Sequence, residues 1–199
     1  PWLSDEIKDI RAQYPGKKII FSMGRLVSYK GYEYLISAMT HLPEEYVLLI
    51  GSDGPLKEQL QQQIEELGLK ERVTLLGGLK EEKKQAYFGA CDVFCLSSVM
   101  KTEAYAIVLV EAMSLGRPIV ATEIPESGVS WVNAHEVSGL NVPVRDPEAL
   151  AEAIHKICGD PELWKRYSQG ARQRYDDTFT KDEMINNLIE TYTQLLNNN

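Results

Sequence analysis

The sequence predicts a doubly wound α/β fold built on a parallel sheet, and three observations point there. Short apolar runs alternate with segments of helical periodicity along most of the chain. The runs, such as Ile19-Ile20-Phe21 and Val47-Leu48-Leu49-Ile50, are continuously apolar, as strands covered on both faces are. Glycine-led loops follow the first two runs, at Gly24 and Gly51.

Taken in order, residues 4–14 predict a short helix with Ser4 as its cap, stopped by Pro15-Gly16. Lys17 to Met23 predicts the first strand, followed by the loop Gly24 to Gly31 and a helix with Tyr32, Leu35, Ile36 and Met39 inward. Tyr46 to Ile50 is a second strand, turned by Gly51-Ser52-Asp53-Gly54-Pro55 into a helix with Leu56, Leu60, Ile64 and Leu67 on one face. Further strands are expected at 72–76, 92–97, 118–122 and 139–142, with a helix at 81–90. The tail predicts helices at 147–158, 161–176 and 182–196. In the last, Met184, Ile185, Leu188, Ile189, Tyr192, Leu195 and Leu196 span more than half the circumference, too broad a stripe for one sheet face. The expected division is therefore a sheet domain over 1–180 and a terminal helix over 181–199 that packs partly on a missing N-terminal domain. The chain begins Pro-Trp without an initiator methionine or signal peptide, which agrees with a piece cut from something longer.

With 199 residues, 44% hydrophobic and 25% charged, the composition fits an ordinary globular protein with a proper core. A formal net charge of -8 argues against general nucleic-acid binding, so any phosphate site must be local. Cys91, Cys95 and Cys158 lack zinc-ligand spacing and predict buried, reduced thiols in a cytoplasmic protein. No metal is expected. His41, His135 and His155 stand in no nucleophile or ligand constellation.

The stretch Ser97 to Pro118 carries the chemistry. Ala104 to Leu115 is rich in helix formers, with Thr102 as the expected N-cap and Gly116 as the C-cap. Glu103 and Glu111 are then about 12 Å apart along one helix. The amides at its start suit an anion, while carboxylates accept from sugar hydroxyls. Sugar, pyrophosphate and ribose in a nucleotide sugar have this layout. Glu111 lies within Ile107-Val108-Leu109-Val110 and Ala112-Met113, where an unpaired carboxylate is costly, so it needs a partner.

In the strand order 3-2-1-4-5-6, the loops after strands one and four flank the ligand crevice. Arg25, Lys30 and Glu103 should therefore meet in space. Arg25 as a planar fork and Lys30 as a point charge can chelate a pyrophosphate without a metal. The loop is neither a Walker loop nor a G-x-G-x-x-G fingerprint. Ser127-Gly128 and Ser130 form a polar loop expected near the crevice, and not a nucleophile elbow.

Gly24-Arg25-Leu26 through Lys30-Gly31, Ile50 to Pro55, Leu75-Leu76-Gly77, Asp92-Val93, Glu103-x7-Glu111 with Ala112-Met113, and Gly116-Arg117-Pro118 together resemble the C-terminal, donor-binding half of a group 1 (family-4) GT-B retaining glycosyltransferase. The resemblance runs over nearly the whole chain.

It implies a Rossmann-like domain for a UDP- or GDP-linked sugar, transferring a hexosyl group with retention to a glycan or lipid-linked acceptor in surface polysaccharide or lipopolysaccharide biosynthesis. Arg25 and Lys30 would hold the pyrophosphate, with Gly24 among the donor-binding residues, and Glu103 would grip sugar hydroxyls, with Arg25, Lys30 and Glu103 as the catalytic set. Amides of Tyr105, Ala106, Ile107 and Val108 would meet sugar and phosphate, Glu111 the ribose diol, and the backbone near Leu79 the base. The family often has Gly at the position of Ala106, and the added methyl either narrows the sugar pocket or is tolerated. The implied partners are the nucleotide sugar and an N-terminal acceptor-binding domain of the same full-length chain. Without that domain the chain is expected to transfer nothing, and any association with the inner face of the membrane would be peripheral and belong to the full-length enzyme. The alternatives are a GT-B epimerase or phosphorylase domain and a non-catalytic nucleotide-binding or docking module.

Overall fold

A computed structural model describes residues 2–197. The chain runs α1 (Trp2–Gln13), β1 (Lys18–Met23), α2 (Tyr32–Ala38), β2 (Tyr46–Gly51), α3 (Lys57–Glu66), β3 (Val73–Gly77), α4 (Glu81–Ala90), β4 (Val93–Leu96), α5 (Ile107–Ser114), β5 (Ile119–Glu123), α6 (Val129–Val132), β6 (Gly139–Pro143), α7 (Pro147–Gly159), α8 (Pro161–Arg174) and α9 (Lys181–Asn197). Among the described residues the strands form one parallel sheet in the order β3-β2-β1-β4-β5-β6. This α/β, Rossmann-like architecture is the one the apolar runs predict.

Burial explains the continuous runs. Every residue of β2 is buried, as is every residue of β4, because helices cover both faces. On one face Ile20, Leu48 and Ile50 pack with Leu35, Ile36, Leu150 and Ile154. On the other, Ile19, Phe21 and Leu49 pack with Phe88, Phe94, Leu109 and Met113. Phe21 meets Phe88 and Phe94 edge-on at centroid distances of 5.1 and 5.9 Å. Each such fully buried side chain contributes about 1.5–3 kcal/mol of transfer free energy, which makes this centre the rigid base of the site.

Register then brings two loops face to face. β1 pairs with β4 through Ile20 opposite Val93 and Phe21 opposite Phe94, so residues 24–31 and 97–106 leave the same edge side by side. They are stitched together: Val99 N–H donates to the Tyr29 carbonyl at 2.8 Å, and Ser97 Oγ to the Lys30 carbonyl at 2.9 Å. Gly31 permits the approach. It has φ 64°, and a Cβ there would drive into the Ser97 carbonyl.

Several element expectations are corrected. The helix expected over 104–115 with Thr102 as N-cap begins only at Ile107, and its N-cap position is Ala106. The carbonyls a helix would use are taken elsewhere: Glu103 C=O accepts from Ser127 Oγ, and Ala104 C=O from Gly128 N–H at 2.8 Å. Gly116, with φ 61°, lies one residue past the C-cap Leu115. The first helix starts at Trp2, placing Ser4 inside it instead of at its cap. Leu67, at the end of α3, is 41% exposed and does not share the inward face of Leu60 and Ile64. The helix expected to reach Asp176 ends at Arg174, and a π-helical turn follows at Tyr175–Phe179. The short α6 and the 3₁₀ turns at Ser28–Lys30 and Met39–His41 carry no readable periodicity. Along α9, Met184, Ile185, Leu188, Ile189, Tyr192 and Leu196 are 43–77% exposed. The seventh member of the expected stripe, Leu195, has a side chain outside the described ones.

Candidate functional site: the crevice between the first and fourth strands

Lys30 ends the 3₁₀ turn after β1, and its ammonium is ion-paired with the Glu103 carboxylate from the loop after β4. Both side chains are only 10% exposed. Such a pair is stable only if the remaining lone pairs are also used. Ser98 Oγ, fully buried, donates to the same Glu103 oxygen at 2.7 Å, and the Ser98 carbonyl accepts from Thr122 Oγ1 on β5. Lys30 and Ser98 thus hold the carboxylate, while Ser127 Oγ holds the backbone carbonyl of the same residue. The polar loop of Ser127-Gly128 therefore does reach the crevice. Ser130 Oγ, by contrast, is buried without a hydrogen-bond partner among the described residues.

Of the cations expected to converge, only Lys30 contacts Glu103. Arg25 is exposed on the same loop, and among the described residues its side chain makes no hydrogen bond or ion pair. Its two neighbours are anchored. Gly24 N–H donates to Gly51 C=O at 3.2 Å, and Leu26 N–H to Asp53 C=O at 3.1 Å. Gly24 C=O accepts from Tyr32 OH at 2.7 Å. Burial raises the Tyr32 phenol well above its ordinary pKa, so it stays a protonated donor.

The start of α5 lacks a cap. Ala106 sits in the left-handed region at φ 55°, ψ 66°, and has no side chain that could accept from the first turn. Amides at Ile107 and Val108 are thus left for water or a ligand, and they carry the positive end of the helix dipole. Ala106 itself is 6% exposed and belongs to the apolar cluster with Leu109 and Phe179. Tyr105 and Ile107 are exposed on either side of it, and Val108 is half-buried. The Tyr105 ring lies 6.3 Å from both Trp131 and Phe179.

Glu111, two turns on from Glu103 in expectation, is separated from it by the break before α5. Its partner is Lys84 of α4, whose Nζ is 2.6 Å from Oε1. Burial pulls the Lys84 pKa down, but the hydrogen bonds it donates to Glu111 and Glu81 outweigh it and hold the ammonium above its usual value. Leu79, half-buried between β3 and α4, lies against the Gly51 backbone at the end of β2.

Lys84, Ser98 and the role of the Tyr32 hydroxyl escape sequence reasoning, which reads Tyr32 only as an inward helix residue. Lys84 is hidden in Glu81-Glu82-Lys83-Lys84, which reads as a solvated face, although Glu111 in an apolar run signals that some cation must reach it. The cysteines are buried and unbridged. His155 bonds Tyr46 OH at 3.0 Å, and His135 accepts from Asn141 N–H at 2.9 Å, both away from the crevice loops. No described helix is long and apolar enough to cross a membrane.

Comparison with known proteins places this geometry in context. O-antigen chain mannosyltransferase C of Escherichia coli is 32% identical over 183 residues, covering 91% of this chain and 48% of that protein. Lipopolysaccharide core biosynthesis glycosyltransferase LpsD of Rhizobium meliloti (strain 1021) is 32% identical over 174 residues, 87% of this chain and 49% of that one. The chain thus spans about half the length of these curated relatives. The crystal structure of Anabaena Alr3699/HepE in complex with UDP matches with a TM-score of 0.86 at 26% identity, covering 96% of this chain and 53% of that one. The same protein in complex with UDP-glucose matches at 0.85 and 25%, over the same shares. The family model described as "Glycosyl transferases group 1" matches residues 4–174, and the chain belongs to that family.

Proposed function

We propose that this chain is the donor-binding half of a retaining glycosyltransferase that moves a hexosyl group from a UDP- or GDP-linked sugar to a glycan or lipid-linked acceptor, in surface polysaccharide or lipopolysaccharide biosynthesis. The observation that carries the reading is the buried Lys30–Glu103 pair at the reversal of strand order, beside the uncapped start of α5. The names of the relatives and the UDP and UDP-glucose complexes of the Anabaena protein support it.

In this reading Glu103 accepts from hydroxyls of the donor sugar. Lys30 has three N–H donors and spends one on Glu103, so the others can reach the β-phosphate. Arg25, exposed and without an ion-pair partner among the described residues, supplies the second positive charge. When the anomeric C–O bond breaks, its electron pair leaves with the nucleoside diphosphate. Arg25, Lys30 and the amides of Ile107 and Val108 stabilise that growing charge, the role a divalent metal would otherwise take. Glu111 binds the ribose diol, and the backbone beside Leu79 meets the base. The exposed apolar face of α9 suits an N-terminal acceptor-binding half of the same polypeptide.

Calorimetry with UDP, GDP and ADP and their sugars tests the reading. The expected result is binding of one nucleotide series, weakened by Arg25→Ala, with no sugar transfer by this chain alone. Absence of heat with every nucleotide would remove the donor-binding role.

A further inference from the structure

Among the described residues Glu111 is clamped on one oxygen only. Lys84 Nζ, in the first turn of α4, bonds Glu111 Oε1 at 2.6 Å and Glu81 Oε2 at 2.8 Å. Side-chain exposure is 16% for Lys84 and 23% for Glu111, against 67% for Glu81, so the contact with Glu111 is the partly dry one. Glu111 Oε2 has no hydrogen-bond partner among the described residues, yet it is not sealed off: Ser130 Oγ is the buried side-chain polar atom that lacks a partner there. The clamp ties α4 to α5 close to the loop that carries Leu79 against the end of β2.

A glutamate free in water must give up rotamer freedom to hold a ligand, and Lys84 has removed that freedom in advance. We propose that Lys84 is a positioning residue for the nucleoside: by fixing Glu111 Oε1 it presents Oε2 to the vicinal hydroxyls of the ribose, and so sets the preference for ribonucleotides over 2′-deoxyribonucleotides. This rests on the donor-binding reading and adds to it a residue that acts through Glu111 without touching the nucleotide. A lysine serving only to clip two helices together would alter melting and leave the sugar preference of the site unmoved.

The experiment measures dissociation constants of UDP, GDP and ADP and their 2′-deoxy counterparts for the chain and for Lys84→Gln and Lys84→Arg. The chain should bind the ribose form of its nucleotide about tenfold or more tightly than the deoxy form, the value of one hydrogen bond to a charged acceptor. Lys84→Gln should bring that ratio below about threefold by weakening the ribose form, and Lys84→Arg should restore most of it. An unchanged ratio in Lys84→Gln, equal weakening of both forms, or no preference in the parent chain overturns the proposal while leaving nucleotide binding in place. If Lys84→Gln does not fold, Glu81→Gln decides, because it frees the ammonium for Glu111 alone. The ratio must then hold or rise, and a fall overturns the proposal. Failure of the parent chain to bind any nucleoside diphosphate overturns the donor-binding reading along with it.

Discussion

The Lys30 ammonium and the Glu103 carboxylate, 73 residues apart in sequence, form a buried ion pair that joins the loops after β1 and β4. Each charge is tolerable because of the other. Removing one partner from such a pair typically costs about 3–5 kcal/mol, since the survivor is left desolvated, whereas removing both costs less than the sum. Urea unfolding at pH 7 should therefore show Lys30→Met and Glu103→Gln each destabilised by roughly 3 kcal/mol. The double variant should fall short of additivity by at least about 1 kcal/mol. Strict additivity would mean that the two groups are solvated independently.

The same junction depends on Gly31. Its φ of 64° falls in the left-handed region, and a Cβ would collide with the Ser97 carbonyl, a backbone atom that cannot swing away. Conformational cost and collision together should make Gly31→Ala destabilising by about 2 kcal/mol or more. Because the collision pushes apart the loops bearing Lys30 and Glu103, nucleotide affinity should fall in protein that remains folded. Calorimetry at a temperature well below the lowered melting point separates the two effects.

Topology was legible in the sequence because it is written in local runs. Ile19-Ile20-Phe21 and Val47 to Ile50 are short apolar runs of the kind strands covered on both faces show, and their alternation with helical segments leaves few strand orders. The pairing of Lys30 with Glu103 followed from that order. What the sequence hid depends on partners far along the chain. The start of α5 is delayed by Ser127 and Gly128, which take the Glu103 and Ala104 carbonyls from more than twenty residues away. Local propensity carries no trace of them. Lys84 stands beside Lys83 in a run that reads as a solvated face, and only the packing of α4 against α5 brings it to Glu111.

Ala106 occupies a position that suits glycine. At φ 55° and ψ 66° an L-residue is held in the left-handed region, at a cost of about 1–2 kcal/mol. Ala106→Gly removes that cost but gives the unfolded chain about 0.5–1 kcal/mol of added freedom. The net expectation is a gain of up to about 1.5 kcal/mol, read as a higher urea midpoint at unchanged slope. Ala106→Val should lose stability, because a β-branched residue is poorly accommodated at positive φ. If glycine destabilises, the contacts of the methyl within the cluster of Leu109 and Phe179 outweigh the backbone term.

The three thiols give the protein an alkaline weakness. Cys91, Cys95 and Cys158 are buried and unbridged. Burial pushes Cys91 up to about 12 and raises the other two as well. In the unfolded chain a thiol ionises near pH 8.5. The folded form thus keeps protons that the unfolded form has released, so the unfolded state binds fewer and stability declines as pH rises. The stability is fully present below about pH 8 and is lost on the way up to the folded pKa. Each thiol contributes a loss of roughly 1.4 kcal/mol per pH unit once the unfolded thiols are ionised, hence roughly 4 kcal/mol per unit for three. Urea unfolding under a reductant should give a flat profile from pH 7 to 8 and a steep fall between pH 9 and 10. Replacing Cys95 by Ala should reduce that slope by about a third while lowering stability at pH 7, because it leaves a small cavity. An unchanged slope in Cys95→Ala would assign the alkaline loss to other groups, such as Tyr32 and Tyr46, whose phenols burial also raises.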